Sequence, residues 1–269
     1  MLRRTLAVFV GVCLWRISCV CLWRISCVGL WLVTSALPVA AEAKVEKLAF
    51  GSGGATRSYY LFIPDKAAGG PAPLLLLLHG SGHDGKSLID PWLPLAKSEG
   101  IVLVAPDASN PRAWRIPQEG PDFFHDLIEL VRISHADVVD DRRIYVFGHS
   151  AGAIHGLDLG LLESEYFAAV AVHAGAVSPE MAPLLDQAPR KIPMAIWVGT
   201  NDAAFPLAVV RQTRDTLNAH GFDTRLTEIR NHTHDYYGSS SSINKEAWAF
   251  LQQHKLAADP KFQPYRLIK

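Results

Sequence analysis

The stretch PLLLLLHG, Pro73 to Gly80, sets an unbroken run of five leucines against a closing glycine. A run with no polar face has no side to show to water, so it predicts a strand covered on both faces of a sheet. The same character returns in GIVLVAPD, RRIYVFG, FAAVAVHAG and MAIWVG. Between these runs lie helix-patterned stretches at Lys86–Lys97, Pro121–His135, Ala151–Leu162, Leu207–His220 and Ile243–Lys255. Alternation at this spacing predicts an α/β fold of βαβ units, with a mostly parallel central sheet and helices on both faces. VEKLAF and SYYLFIP, split by the turn GSGG, add two opening strands. The connection between FAAVAVHAG and MAIWVG has room for one short helix, so no large cap domain is expected. One domain over residues 44–255 accounts for the pattern, and residues 256–269, with Pro260 and Pro264, read as an irregular tail.

In such sheets, sites form at the carboxyl ends of the strands. There the segment YVFGHSAGA places Ser150 between Gly148 and Gly152, directly after a strand and before a helix. A serine that only caps a helix would account for Ser150 but for neither glycine. A sharp strand-to-helix turn that exposes a nucleophilic hydroxyl needs both, because its neighbours must lack side chains. In that turn the Ala151 amide, at the positive end of a helix, faces a developing oxyanion. A second amide is expected from the glycine-rich LHGSGHDG, and Ser81 N–H is the candidate donor. His79, His83 and Asp84 in that loop lack a recognised ligand spacing, and no metal is expected.

A serine needs a base, and the base needs an orienting acid. Asp202 follows a late strand in IWVGTNDAAFP, the position such an acid takes, although TND is also ordinary turn chemistry. The base is one of the two histidines in TRLTEIRNHTHDYYG. His234, in the more irregular part of the segment, is preferred, with His232 as the alternative. Trp92, Trp114, Phe123, Phe124, Tyr236 and Tyr237 lie in or near segments that could border the cleft, each also readable as core or rim.

With RSYYLFIP, PAPLLLLLHGSG, DRRIYVFGHSAGA, FAAVAVHAGA, GTND and HTHDYY in this order, the chain resembles the α/β-hydrolase superfamily. Within it, the likeness is to secreted esterases grouped with polyhydroxybutyrate depolymerases and feruloyl esterases. The resemblance implies Ser150 as nucleophile, Asp202 as acid and His234 as base, with the Ser81 and Ala151 amides as oxyanion hole. It implies a serine esterase that needs no cofactor and acts on small or oligomeric esters. The alternatives are a serine peptidase or aminoacyl hydrolase, for which no acidic pair marks a peptide-terminus anchor, and a silent binding protein of the same fold. The chain departs from that branch at Ser81, where cysteine is common, and in the histidine loop.

The N-terminus carries Arg3 and Arg4, then apolar segments, then SALPVAAEA, the arrangement of a secretory signal peptide over residues 1–41 with cleavage after Ala41 or Ala43. CLWRISCV occurs twice in it, at 13–20 and 21–28, and Arg16 and Arg24 interrupt the apolar run. A stable membrane span is therefore not expected, and the alternative is an uncleaved N-terminal anchor. All four cysteines lie in this leader, so a processed chain is stabilised without disulfides. Basic and acidic residues number 26 each, with no basic block, which points away from nucleic acid as a partner. The expected location is secreted or periplasmic.

Overall fold

The computed structural model describes residues 44–65 and 70–264. The N-terminal leader, its repeat and its cleavage sites lie outside the described residues. The sheet has eight strands: β1 (Glu46–Ser52), β2 (Ala55–Phe62), β3 (Ala72–Leu78), β4 (Val102–Pro106), β5 (Val139–His149), β6 (Ala169–His173), β7 (Met194–Gly199) and β8 (Thr224–Ile229). Their order across the sheet is β1-β2-β4-β3-β5-β6-β7-β8. The β1–β2 and β2–β4 pairs are antiparallel and all others parallel, as the βαβ alternation predicts.

The leucine run is β3, and every residue of it is buried. Leu74, Leu76 and Leu78 pack on one face with α2 (Pro121–Ser134), α3 (Ala151–Leu162) and α4 (Leu207–Ala219). Leu75 and Leu77 pack on the other with α1 (Gly85–Glu99) and α5 (Ser240–Leu251). The period of two that sends alternate side chains to opposite faces thus feeds two cores from one strand. Each leucine removed from water is worth roughly 2 kcal/mol. The β6–β7 connection holds a single 3-10 turn, Pro179–Leu184, as its length predicts.

α1 begins where the Asp84 side chain accepts the Ser87 N–H and the Ser87 hydroxyl reciprocates, and it ends at Gly100 with φ of 70°. α5 departs from expectation: it starts at Ser240, not Ile243, and stops at Leu251, not Lys255. The cause is a 3-10 turn at Tyr237–Ser239 that leads directly into the helix through the serine run. No helix among the described residues is long and apolar enough to cross a membrane.

Strand order fixes where chemistry can gather. From β3 the chain moves to β4 on one side and then returns to β5 on the other. The carboxyl ends of β3 and β5 stay paired, with Leu78 in register with Gly148, while the connections leaving them run to α1 and α3 on opposite faces and open a crevice.

Candidate active site

β5 ends at His149 and α3 begins at Ala151, leaving Ser150 alone in the turn with φ of 56° and ψ of −116°. A non-glycine residue with positive φ is strained, and the surroundings must hold it there. They do so by close backbone packing. A Cβ at Gly148 would lie 2.1 Å from the carbonyl oxygen of Gly152, and one at Gly152 would lie 2.0 Å from that of Leu78. Both glycines are thus required by contact, and the Ser150 N–H is held by the His173 carbonyl at 3.0 Å.

The turn aims Ser150 Oγ at His234 Nε2, 2.9 Å away, and His234 Nδ1 lies 2.9 Å from Asp202 Oδ2. A carboxylate can only accept, so Nδ1 carries the imidazole hydrogen and Nε2 is left to accept from the serine hydroxyl. Asp202 is buried in the turn after β7, and the Phe205 ring stacks on His234 at 5.7 Å. The structure brings Ser150, Asp202 and His234 together. His232 is not with them: its Nε2 lies 3.1 Å from His173 Nε2 and its Nδ1 lies 3.4 Å from Ser239 Oγ.

The loop after β3 closes the other side. A Cβ on Gly80 would sit 3.4 Å from Ser150 Cβ. His79 pins this loop: its Nε2 accepts the Ala108 N–H at 3.1 Å, so its Nδ1 donates to the Gly80 carbonyl at 2.9 Å. Burial lowers the His79 pKa and favours this neutral ring. The His79 carbonyl in turn accepts the Trp114 indole N–H at 2.9 Å. Gly82 donates to Pro111 and His83 to Gly80, leaving the Ser81 N–H just before them without an acceptor among the described residues. The Ala151 N–H opens α3 and has no intrahelical partner.

Behind Trp114, the loop of residues 107–120 is tied by Glu119. This fully buried carboxylate accepts the N–H groups of Ser109 and Arg115 at 2.9 Å each and pairs with Arg57 at 2.5 Å. Burial alone would raise its pKa, but these bonds outweigh burial and lower it.

A cavity of about 390 Å³ opens beside Ala151, walled by Trp114, Ile154 and Met181. Asp158 and Glu180 line it as well, together with His155, whose pKa burial lowers to about 4, and no lysine or arginine does. Asp158 is buried, accepts only the N–H and hydroxyl of Ser178, and has its pKa pushed up to about 6, first by burial and further by Glu180. Separated by a strand and a loop, these two acids carry no signature in sequence. Of the aromatic residues considered for the rim, Trp114 lines this cavity and Tyr237 packs on His83, whereas Trp92, Phe123, Phe124 and Tyr236 are core. Among the described residues no three His, Cys, Asp or Glu side chains are placed to hold a metal ion.

A family model described as the alpha/beta hydrolase family matches residues 75–268. The chain is a member of that family. Solved structures of the same fold include the S-formylglutathione hydrolase of Agrobacterium tumefaciens, with a TM-score of 0.63 at 17% identity over 78% of this chain and 95% of that one. A ferulic acid esterase matches with a TM-score of 0.61 at 16% identity, over 79% and 98% of the two chains. The acylaminoacyl peptidase of Pyrococcus horikoshii matches with a TM-score of 0.64 at 15% identity, over 84% of this chain but 44% of its own length. At these identities the likeness establishes the shared fold. No curated protein matches the chain in sequence.

Proposed function

We propose that this alpha/beta hydrolase is a serine esterase that cleaves small or oligomeric carboxylic esters through an acyl-enzyme. The observation that carries the reading is the hydrogen-bonded line from Ser150 through His234 to Asp202, two contacts of 2.9 Å each. His234 Nε2 takes the serine proton as Oγ attacks the ester carbonyl, and Asp202 steadies the imidazolium. The Ser81 and Ala151 amides receive the oxyanion, and the imidazolium returns its proton to the departing alcohol. Water, deprotonated by the same ring, then attacks the acyl-enzyme; the acid leaves and Ser150 regains its hydrogen. The branch likeness to feruloyl esterases and polyhydroxybutyrate depolymerases, and export through residues 1–41, belong to this proposal.

A fluorophosphonate reagent tests it, because only an activated serine reacts. The wild-type protein is expected to label stoichiometrically and to hydrolyse 4-nitrophenyl acetate. Ser150→Ala is expected to do neither, and a Ser150→Ala protein with full esterase activity refutes the reading.

A second reading rests on Asp158 and Glu180. Two carboxylates in a cavity beside the oxyanion amide, with no cation among its lining residues, suit a substrate carrying a protonated amine, as in an aminoacyl ester or amide. Aminoacyl nitrophenyl esters would then outcompete neutral ones of equal length, and Asp158→Asn with Glu180→Gln would abolish the preference. Equal kcat/KM for the two ester types excludes it.

A further inference from the structure

The residues so far assigned leave a second group of histidines unused. His149, immediately before Ser150, is buried, and its Nδ1 lies 3.0 Å from Nδ1 of His173 at the end of β6. The other ring nitrogen of His173 lies 3.1 Å from His232 Nε2, and His232 Nδ1 lies 3.4 Å from Ser239 Oγ. Three imidazoles thus form a chain through the floor of the site, without a bond to the serine hydroxyl or to Asp202.

Proton counting shows what this chain can do. Burial holds His149 at about 4 and His173 lower still, so both are neutral. A neutral imidazole has one N–H and one bare nitrogen. Each contact between ring nitrogens needs one hydrogen, so His173 donates across one contact and accepts across the other. It is saturated only when both neighbours are in place. A proton added to His173 would face His149, His232 and His234, with no carboxylate contributing, so the chain works uncharged.

The ends of the chain reach every element that carries a member of the serine–histidine–aspartate line. His149 precedes Ser150, whose N–H is held by the carbonyl of His173 itself. His232 lies two residues before His234, and its carbonyl accepts the N–H of Asn201, the neighbour of Asp202, at 2.9 Å. The His149 ring also lies against those of His234 and Tyr236, with centroids 5.1 and 5.2 Å away.

We propose that His173 is a positioning residue for hydrolysis: its two ring nitrogens set the separation between the strand end bearing Ser150 and the loop bearing His234. The proposal rests on the serine-esterase reading above. Loss of either link leaves a buried nitrogen unpaired and frees one loop to shift, and a displacement of about 1 Å can cost roughly a hundredfold in rate.

Three substitutions test it, with 4-nitrophenyl acetate as substrate. His173→Phe keeps a ring and removes both nitrogens. The side-chain amide of His173→Asn falls near the place of Nδ1 and that of His173→Gln near Nε2, so each restores one link. His173→Phe is expected to lower kcat by about tenfold to a hundredfold with KM within about threefold of wild type. Asn and Gln are expected to recover part of the loss, and fluorophosphonate labelling rates should follow the same order. Should His173→Phe fail to fold by circular dichroism, His232→Phe breaks the same chain at its half-buried end and is expected to lower kcat by about threefold or more. Wild-type kcat in His173→Phe, or in His232→Phe where that variant stands in, overturns the proposal. So do Asn and Gln variants as slow as Phe, or a loss confined to KM. Ser150→Ala run alongside separates the two ideas: activity surviving there sinks the esterase reading, whereas activity lost there but kept in His173→Phe sinks only the role of His173.

Discussion

Asp202 divides its two oxygens between His234 and its own turn. Oδ2 lies 2.9 Å from His234 Nδ1, while Oδ1 accepts the N–H groups of Ala204 at 2.9 Å and Phe205 at 2.8 Å. On the esterase reading, the acid is therefore oriented before any substrate arrives. It follows that Asp202→Asn should keep its place, because the amide oxygen can still accept both backbone bonds. Its NH2 then faces His234 Nδ1 and drives the imidazole hydrogen to Nε2, where it cannot accept from Ser150. We expect kcat to fall by about 10⁴-fold with the melting temperature nearly unchanged, measured by ester hydrolysis and calorimetry.

Gly152→Ala should disrupt folding itself. Its Cβ would meet the Leu78 carbonyl at 2.0 Å, backbone against backbone, where neither β3 nor α3 can yield. A loss of about 3 kcal/mol or more is expected in urea denaturation. Gly51→Ala is the control, since nothing lies within 4 Å of its added carbon, and it should be nearly neutral.

Glu119→Ala removes the partner of Arg57, whose side chain is 9% exposed. An uncompensated buried charge costs about 3–5 kcal/mol, to be read from the shift of the denaturation midpoint. Because Glu119 also holds Ser109 and Arg115, the Trp114 loop should loosen, and faster backbone hydrogen exchange over residues 107–120 is expected.

Glu163 should make stability fall toward alkaline pH. Burial, with Asp122 adding a like charge, pushes its pKa from an ordinary 4.5 up to about 8, against one bond from the Gln263 N–H. The folded state thus holds its proton more tightly than the unfolded one. The stability is fully present below pH 4.5 and is lost as pH rises through about 8. Glu163→Gln should flatten this slope and melt several degrees higher than wild type at pH 8.5, but not at pH 4. Parallel melting curves for the two proteins across that range would contradict the assignment.

The sheet was legible because its strands are nearly pure: the leucines of β3 have no polar face to offer, so only burial on both sides suits them. The elbow was legible for a related reason, in that Gly148 and Gly152 serve contacts within five residues of chain and with the next strand. His173 was not. AVAVHAG reads as an ordinary strand end, and its ring gains partners only when β5, β6 and the loop after β8 become neighbours, which strand order decides. Asp158 and Glu180 were hidden likewise, one on α3 and the other in a 3-10 turn. The aromatics were legible only as a choice between cleft and core: Trp92 and Tyr236 lie near loops in sequence, and α1 and the turn before α5 face them inward, the core reading.

On the esterase reading, the positive φ at Ser150 makes its reactivity belong to the assembled sheet and not to the residue. Once released, that stretch of chain relaxes to the extended or helical backbone any serine prefers, and the hydroxyl becomes an ordinary alcohol. On the esterase reading, covalent capture at Ser150 then counts native molecules individually. A pulse of reagent during refolding would time the docking of α3 onto β5, with each unmarked chain still short of that event.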